Sequence, residues 1–451
     1  MRTLLMDAAE RSASYLDGLS TRSVAPPADA IAGLAALGGE LPDDPTDPGE
    51  VLALLDDVGS PATIASAGPR YFGFVIGGSL PAAVAASWLA TAWDNNAGLR
   101  VASPVGAHLE AVALAWLVDV LGLPEGTGGG FVTGATMANL TGLAAARHAL
   151  LRRAGWDVEG LGLFGAPELR VVVGDEVHVS LLKALSLLGL GRDRVVRVPV
   201  DDQGRISADE LPPLDGRTIL CVQAGNVNTG AVDPLGRLTK AARAAGAWVH
   251  VDGAFGLWAA VAPERRALVE GVDRADSWAT DGHKWLNVPY DSGLVFVRDS
   301  EVLSASMAAT AAYLIPGHDR EPYDYTPEMS RRARGLDVWA ALRSLGRSGL
   351  AALVEGCCVQ ASRFAAGLSA AGYEVLNDVV LNQVLASFGD DDTTRAVVAA
   401  VQDDGTCWCG GTVWQGRAAM RISVSSWATT DDDVEASLDA IIRVASSRSA
   451  A

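Results

Sequence analysis

The chain has 451 residues, 49% of them hydrophobic and 20% charged, and its 54 acidic residues outnumber its 35 basic ones to give a formal net charge of −19. This length and hydrophobic fraction suffice for a large buried core and exclude an intrinsically disordered chain, and no apolar run reaches the ~18 residues of a membrane span. Because an acidic chain is repelled by phosphate backbones and anionic lipids, we expect neither nucleic acid nor a membrane surface as a partner.

Cysteine usage and the first residues favour the cytoplasm. The five cysteines are an odd number in a long chain, which fits a reducing compartment, and their spacing is not that of a zinc site. Residues 1–7 carry one Arg and then an acid, without the apolar stretch of a secretory signal. We therefore expect a soluble cytoplasmic protein without a metal site.

Residues 1–75 predict an N-terminal arm rather than a domain. Helical patterns at 4–16 and 49–57 are separated by connectors rich in Ala, Pro and Asp. Because these segments offer too little apolar surface to fold alone, we expect the arm to pack on a partner surface, such as another subunit.

Residues 76–342 predict a large α/β domain. Helices are expected at 109–121 and 136–154, and a short strand at 131–133 follows a glycine turn at 126–130. Further strands are expected at 170–173, 219–223, 247–251, 277–280 and 294–297. Apolar strands separated by helices indicate a mostly parallel sheet that is covered on both faces.

Residues 343–451 predict a small C-terminal α+β domain. The preceding segment, 316–329, is polar and rich in Pro and Tyr, which is typical of a mobile loop. A long helical pattern follows at 338–371, and strands then alternate with helices from 373 to the end.

Two polar side chains follow buried strands, where open α/β sheets place their ligands. Asp252 ends the apolar run 247–251, where a carboxylate pairs with a buried cation, such as a protonated pyridine nitrogen, or else caps a helix. Lys284, one of only three lysines, lies in a turn of small and aromatic residues between two apolar strands. Loss of hydration there favours Schiff-base formation; an ordinary surface lysine is the alternative.

A glycine-rich segment precedes the helix expected at 136–154. Residues 128–139 read Gly-Gly-Gly-Phe-Val-Thr-Gly-Ala-Thr-Met-Ala-Asn, and the glycines allow a ligand to approach closely. The helix start at Ala135 and Thr136 presents free amides and the positive end of the helix dipole, which together favour phosphate binding. The segment matches neither the P-loop nor the dinucleotide-binding motif, and a packing turn is the alternative.

Together the three features suit a phosphorylated pyridine aldehyde, with a phosphate at the helix start, an acid at the ring nitrogen and a lysine at the aldehyde. The sequences His-Val-Asp-Gly-Ala at 250–254 and Asp-Gly-His-Lys-Trp-Leu at 281–286 resemble the group II pyridoxal-phosphate-dependent amino-acid decarboxylases. This resemblance runs from about residue 71 to about residue 427. It implies pyridoxal 5'-phosphate (PLP) as cofactor and the aspartate-aminotransferase-like fold (fold type I).

The resemblance also implies roles for single residues of the cofactor site. Lys284 forms the Schiff base with PLP, and Asp252 keeps the ring nitrogen protonated. His178 stacks on the ring opposite Ala254, although a buried core histidine is the alternative. The other implied cofactor contacts are Ala135 and Thr136 at the phosphate, Asn226 on the ring-hydroxyl side, and His283 at the phosphate or the substrate carboxylate.

A loop tyrosine is the remaining catalytic residue that the resemblance implies. Tyr325 falls where members of this family carry the tyrosine that protonates the substrate carbon after carbon dioxide leaves, and Tyr323 is a rival. Arg334 resembles the arginine that closes this loop, with a solvated helix charge as the alternative. Because such a loop closes over the neighbouring subunit's site, the resemblance implies a homodimer.

The resulting expectation is decarboxylation of an L-amino acid to its amine. A phenylalanine at the loop position would favour an aldehyde product in this family, so a tyrosine favours the amine. A PLP-dependent aldolase or other C–C lyase, or an aminotransferase, is one alternative. A non-catalytic PLP-binding protein is another, although the presence of Lys284, Asp252 and His178 argues against it.

The substrate side chain stays open. Where animal aromatic decarboxylases carry bulky apolar residues, this sequence has Val75, Asn96 and Gly98, with Arg100 nearby. These residues argue against a purely aromatic preference and leave acidic or polar substrates open, unless the fold itself satisfies these polar side chains.

Overall fold

The computed structural model describes residues 1–309 and 320–449, with the backbone alone at 449. The chain divides into two compact units. The small unit contains residues 1–78, 362–376 and those from 384 onward, and the large unit contains Ser79–Ala361 and Asn377–Gln383. The predicted arm therefore belongs to the same unit as most of the predicted C-terminal domain.

The strands are β1 (Tyr71–Phe72), β2 (Gly128–Val132), β3 (Arg170–Gly174), β4 (Val196–Val198), β5 (Thr218–Gln223), β6 (Trp248–Asp252), β7 (Ser277–Asp281), β8 (Gly293–Val297), β9 (Glu374–Val375), β10 (Gln383–Ser387), β11 (Trp408–Trp414) and β12 (Arg417–Ser423). The helices are α1 (Arg2–Gly18), α2 (Ala28–Gly33), α3 (Pro48–Gly59), α4 (Pro81–Trp93), α5 (Pro104–Val120), α6 (Ala135–Arg153), α7 (Val158–Leu161), α8 (Val179–Leu187), α9 (Leu235–Ala244), α10 (Ser300–Met307), α11 (Arg334–Ala370), α12 (Asp391–Asp404) and α13 (Asp431–Ser449). In the part of the chain that is described, no helix is long and apolar enough to cross a membrane.

The large unit contains a seven-stranded sheet of order β2-β8-β7-β6-β5-β3-β4, in which β8 alone runs opposite to the others. This confirms the mostly parallel sheet expected from the sequence. Every residue of β5, β6, β7 and β8 is buried, as in strands whose two faces are both covered. As a consequence of the strand directions, the carboxyl ends of β2, β3, β5, β6 and β7 lie at one edge of the sheet, here called the carboxyl edge.

The long helix α6 packs on the sheet and contributes many residues to the apolar core of the large unit. Leu143 and Leu150 of α6 are fully buried and belong to one apolar cluster with Val173, Ile219 and Val295 of the sheet. The alanines of α6 are largely buried as well, so this helix packs closely on the sheet. The position of its first residues is therefore fixed by the core.

The predicted glycine turn at 126–130 is wrong in part, because Gly128–Val132 is a strand. Glycine serves there for close approach rather than for turning. A Cβ on Gly129 would lie 2.8 Å from Leu114 Cδ2, and one on Gly130 would lie 2.7 Å from the carbonyl oxygen of Tyr325. The glycines therefore let neighbouring segments pack directly on the strand.

The helix expected at 338–371 begins earlier, at Arg334, and contains an interruption. Gly346 has a φ of 61°, a left-handed conformation that glycine adopts without steric cost. In the preceding loop, residues 316–319 lie outside the described residues, and Pro322–Tyr325 forms a short 3-10 turn.

The small unit contains one sheet of order β1-β11-β12-β10-β9, in which β1 from the N-terminal part of the chain pairs with strands from the C-terminal part. Strand β1 pairs in parallel with β11, and the rings of Tyr71 and Trp408 stack with centroids 5.2 Å apart. Near the arm helices, the N–H of Val24 donates to the carbonyl oxygen of Gly405 at 2.9 Å. Helices α1 and α3 contain no buried residue, although both carry apolar side chains.

Candidate active site

Most of the predicted site residues lie at the carboxyl edge of the large unit's sheet. Asp252 is the last residue of β6, and Lys284 follows β7 by three residues. Asn226 follows β5 by three residues, and His178 precedes α8 as its N-cap. Helix α6 begins at Ala135, three residues after β2. Since parallel strands end together here, five separate segments contribute to one site.

The amine of Lys284 is held by a carboxylate that the sequence analysis did not identify. Lys284 Nζ lies 3.1 Å from Asp281 Oδ2, and His283 Nε2 lies 3.6 Å from the same oxygen. The Asp281 side chain is only 2% exposed, whereas that of Lys284 is 21% exposed. Asp281 ends a buried strand as Asp252 does, so the rule that selected Asp252 would have found it.

His283 packs against an aromatic ring beside this ion pair. Its imidazole stacks on Tyr290 with ring centroids 4.2 Å apart and an interplanar angle of 27°. Burial lowers the pKa of His283, so the ring is neutral near pH 7.

Asp252 is buried and accepts two hydrogen bonds. Asn139 Nδ2 donates to Oδ2 at 3.1 Å, and the backbone N–H of Ala254 donates to Oδ1 at 3.3 Å. The contact with the Ala254 N–H is local, like that of a helix cap, whereas the contact with Asn139 joins β6 to α6. Asp252 is therefore oriented by a tertiary contact as well as by its own turn.

The start of α6 is open to a ligand. Gly134 precedes the helix in an extended conformation and has no side chain to cap it, and the first amides of a helix have no partner within the helix. A Cβ on Gly134 would lie 3.4 Å from His283 Cε1 and 3.6 Å from Asp281 Oδ1. The helix start therefore lies beside the groups that follow β7.

Local hydrogen bonds orient Asn226 and His178. Asn226 Oδ1 accepts the backbone N–H groups of Asn228 at 2.9 Å and Thr229 at 3.3 Å, which fixes its amide orientation. His178 Nδ1 accepts the backbone N–H of Ser180 at 3.3 Å, so the other ring nitrogen carries the proton in the neutral ring.

The buried polar atoms at the carboxyl edge that have no hydrogen-bond partner among the described residues include Asn226 Nδ2, Asp281 Oδ1 and His283 Nδ1. Buried polar atoms are nearly always paired, so this group indicates a polar ligand. PLP fits these residues, because α6 offers amides to a phosphate, Lys284 an amine to an aldehyde, and Asp252 a carboxylate to a ring nitrogen.

Tyr325 lies elsewhere in its own chain. The Arg320 guanidinium lies 4.2 Å from the centroid of its ring, and the ring lines a cavity of about 610 Å³ that also includes Leu114, Gly128 and Ser300. Gly128 begins β2 and Ser300 follows β8, so this cavity is at the opposite edge of the sheet from Lys284. The structure thus brings the other predicted site residues together but leaves Tyr325 apart.

Other loop and pocket residues are engaged by the fold. Tyr323 is buried. Arg334 forms a bidentate salt bridge with Asp291, in which Nε donates to Oδ1 at 2.8 Å and Nη2 donates to Oδ2 at 3.1 Å. Asn96 Oδ1 accepts the backbone N–H groups of Gly98 at 3.0 Å and Arg331 at 3.1 Å. The hydrogen-bonding capacity of the Asn96 side-chain oxygen is therefore used within the chain. This agrees with the alternative that the fold, rather than a polar substrate, accounts for this residue.

The family model of the pyridoxal-dependent decarboxylase conserved domain matches residues 40–388. The chain is 30% identical over 360 residues to the aromatic-L-amino-acid decarboxylase of Bacillus atrophaeus, which covers 77% of this chain and 72% of that relative. It is 27% identical over 429 residues to the phenylacetaldehyde synthase of Arabidopsis thaliana, which covers 88% of this chain and 86% of that one. The crystal structure of Oryza sativa TDC with PLP and tryptamine superposes with a TM-score of 0.90 at 25% identity, covering 99% of this chain and 97% of that chain.

Proposed function

Because the chain belongs to the pyridoxal-dependent decarboxylase family, we propose that Lys284, Asp252 and the start of α6 hold PLP in an enzyme that releases carbon dioxide from an L-amino acid. The decarboxylase activity and the cofactor follow from family membership. The residue assignments rest on the meeting of an amine, a carboxylate and an open helix start at the carboxyl edge, beside buried polar atoms that have no partner among the described residues.

Bound PLP supplies a pyridine ring that accepts the electron pair left when a bond to the substrate α-carbon breaks. Lys284 offers Nζ to the cofactor aldehyde, and Asp281 keeps this amine at the carboxyl edge through their 3.1 Å ion pair. Asp252 accepts the N–H of the ring nitrogen. The amides of Ala135 and Thr136 bind the phosphate at the positive end of α6.

The remaining predicted residues surround these contacts. Asn226 Nδ2, buried and unpaired in the described residues, donates to the ring hydroxyl oxygen. His178 and Ala254 cover the two faces of the ring, and the neutral His283 contacts the phosphate or the substrate carboxylate.

We assign an amine as the product and a homodimer as the active form. Tyr325 delivers the proton to the substrate carbon, and since it lies away from Lys284 of its own chain, this role requires the site of a second subunit. The exposed apolar side chains of α1 and α3 favour such an assembly, among them Leu5, Val51 and Leu55, which are 57%, 51% and 58% exposed. None of the five cysteines, all of which are described residues, forms a disulfide bond, which favours a cytoplasmic location.

An aldehyde-forming decarboxylase is the second candidate, because the chain resembles a phenylacetaldehyde synthase along most of its length. The two candidates differ in products: an amine without an oxidant on one side, and on the other an aldehyde with ammonia and hydrogen peroxide, formed with consumption of dioxygen and water. Aromatic, acidic and basic L-amino acids should be supplied in turn, with carbon dioxide and each of these products measured.

The cofactor assignment is tested by chemical labelling. Reduction of the PLP-loaded enzyme with borohydride should leave a pyridoxyl group on the peptide that contains Lys284. Exposed Lys183 and Lys240 serve as matched controls, and their replacement by Ala should leave the visible absorbance of bound PLP unchanged. Label on either control lysine, or an unchanged spectrum in Lys284→Ala, would contradict the assignment.

The reaction type is tested separately. Cleavage of a β-hydroxy amino acid, or transfer of the amino group to an added keto acid, without release of carbon dioxide, would indicate the aldolase or aminotransferase alternative.

A further inference from the structure

A chain of buried polar side chains leads from the core of the large unit to Asp252. Trp248 Nε1 donates to Ser277 Oγ at 2.9 Å, and Ser277 Oγ lies 2.8 Å from His250 Nδ1. His250 Nε2 lies 2.8 Å from Asn139 Oδ1, and Asn139 Nδ2 lies 3.1 Å from Asp252 Oδ2. The residues come from β6, β7 and α6, and we call this set the Asp252 relay.

The direction of each hydrogen bond follows from the groups at the two ends. An indole N–H can only donate, and a carboxylate can only accept. Asp252 therefore receives the amide N–H of Asn139, which turns the Asn139 carbonyl oxygen toward His250. The Nε2 of His250 then carries the proton and donates, so Nδ1 accepts the hydroxyl proton of Ser277. One consistent assignment accounts for every bond.

Burial keeps this assignment in place. Asn139, His250 and Ser277 are fully buried, and Asp252 is 5% exposed. Burial also lowers the pKa of His250 to about 4, so the ring is neutral near pH 7 and keeps one donor and one acceptor. A Cβ on Gly142 of α6 would lie 2.9 Å from His250 Cε1, so the helix is packed directly on this ring.

We propose that Asn139 and His250 are positioning residues that hold the Asp252 carboxylate as the hydrogen-bond acceptor for the ring nitrogen of PLP. This inference rests on the proposed function, since it assumes that Asp252 faces that nitrogen. It goes further in stating that the orientation of the acid is set by Asn139 of α6, 113 residues away in sequence, and that His250 of the acid's own strand holds Asn139 in turn. Without the relay, Asp252 keeps only its local backbone contact with Ala254.

A merely structural role for the relay makes a different prediction. A buried network that only attaches α6 to the sheet affects every cofactor analogue alike. A network that orients Asp252 affects only ligands with a ring nitrogen. PLP and 1-deazapyridoxal 5'-phosphate, which has carbon in place of that nitrogen, share the aldehyde and the phosphate and so separate the two roles.

The experiment measures the dissociation constants of both ligands with the full-length apoenzyme of wild type, Asn139→Ala, His250→Phe and the conservative His250→Gln. Loss of one hydrogen bond to a charged group should weaken PLP binding by on the order of tenfold in Asn139→Ala, with binding of the deaza analogue changed by less than about twofold. His250→Phe should show a smaller loss with the same selectivity. His250→Gln, which keeps a donor toward Asn139, should restore PLP binding to near the wild-type value.

The same variants give a spectroscopic readout. With [15N]PLP bound, the ring-nitrogen signal of wild type should be that of a protonated pyridine, and in Asn139→Ala it should move toward the unprotonated position. Thr141→Val is the matched control, because Thr141 is buried on the same helix and bonds only to Met137 O at 2.8 Å. It should leave the ratio of the two dissociation constants at the wild-type value.

The outcomes separate this inference from the proposed function. Equal losses for both ligands, or no loss for either, with an unmoved ring-nitrogen signal, would overturn the positioning role. A wild-type apoenzyme that binds neither ligand would instead overturn the proposed site. If Asn139→Ala does not fold, Ser277→Ala removes the two relay bonds farthest from Asp252, those of Ser277 with His250 and with Trp248, and should still show selective weakening of PLP binding.

Discussion

At the residue scale, two acids that end neighbouring strands have different partners. Asp281 faces the Lys284 amine at 3.1 Å, whereas Asp252 faces the Asn139 amide at 3.1 Å. A carboxylate beside an amine holds that amine in place, and a carboxylate beside an amide stays available to accept another hydrogen bond. Under the proposed function, the different partners of Asp281 and Asp252 assign the first acid to the amine that meets the cofactor aldehyde and the second to the ring nitrogen.

The tyrosine assignment gives a prediction about products. Replacing the proton donor with phenylalanine should convert amine formation into oxidative aldehyde formation, in which dioxygen and water are consumed and ammonia and hydrogen peroxide are released. We expect Tyr325→Phe to cause this change and Tyr323→Phe to leave the amine as the main product. Peroxide and amine are quantified after equal consumption of substrate.

Tyr313 is the third tyrosine near this loop and lies outside the described residues, so Tyr313→Phe belongs in the same series. Aldehyde formation by Tyr313→Phe or Tyr323→Phe, with amine formation retained by Tyr325→Phe, would contradict the assignment of Tyr325. Mixed dimers of Lys284→Ala and Tyr325→Phe chains should regain amine formation at one of their two sites.

The buried His250 gives a prediction about pH. Burial lowers its pKa from 6.5 to about 4, so between these values the unfolded chain binds a proton that the folded chain does not. The free energy of unfolding therefore falls as pH decreases through this range, by on the order of 3 kcal/mol from this residue alone. Wild type should lose more stability than His250→Gln between pH 7 and pH 4 in urea unfolding. Parallel losses in the two proteins would show that His250 does not titrate in this way.

At the element scale, the start of α6, which we propose binds the phosphate, is positioned by a close approach of two backbones. A Cβ on Gly293, the first residue of β8, would lie 2.4 Å from the Cα of Gly134. Gly293→Ala should push the start of α6 away from the carboxyl edge and weaken PLP binding by at least about tenfold, because the backbone itself has to move.

Gly356→Ala is the matched control for this change. Gly356 lies within α11, and a Cβ there meets nothing within 4 Å, so alanine should stabilise the helix by about 0.5–1 kcal/mol. PLP affinity is measured by absorbance titration and stability by urea unfolding. Unchanged PLP affinity in Gly293→Ala would mean that the start of α6 does not bind the phosphate.

Elements were predicted well where burial patterns are strong. The strands expected at 219–223 and 294–297 agree with β5 and β8 within about one residue, because their apolar runs are unbroken. The short strand β4 at the edge of the sheet was not predicted, since it has only three residues, one of them Arg197, and Pro199 follows it directly. The glycines of β2 were interpreted as a turn, because a sequence does not show which neighbour requires a missing side chain.

Only those site residues that follow a strand closely in the sequence could be predicted from the sequence. Asp252 and Lys284 stand directly after apolar runs, so their positions at one sheet edge follow from the strand order. The Asp252 relay was not predicted, because Asn139 lies 113 residues before Asp252 and on a helix whose rotation the pattern does not fix. The placement of Tyr325 depends on the loop path, and loops carry no periodicity.

At the scale of the whole molecule, the arm carries exposed apolar side chains. Helix α3 leaves Val51, Leu54 and Leu55 51%, 47% and 58% exposed, and no residue of this helix is buried. Apolar side chains grouped in this way are typical of a subunit interface.

Leu55→Glu should therefore shift the protein from dimer to monomer in sedimentation and reduce the decarboxylation rate. Phe164→Glu is the control, because Phe164 is an apolar residue outside the arm, 97% exposed on a loop of the large unit, and its replacement should leave the dimer intact. A wild-type protein that sediments as a monomer with full activity would contradict both the interface and the role of Tyr325 at a second subunit.

The pairing of β1 with β11 has a consequence for synthesis on the ribosome. Tyr71 of β1 pairs with Trp408 of β11. The ribosome therefore has to add more than three hundred residues after β1 before the strand that pairs with it is synthesised. Most of the large unit, Ser79–Ala361, is translated during that interval and has the contacts to fold first. The arm therefore emerges early with its apolar side chains uncovered, and nascent chains arrested before β11 should bind holdase chaperones through the arm until translation is complete.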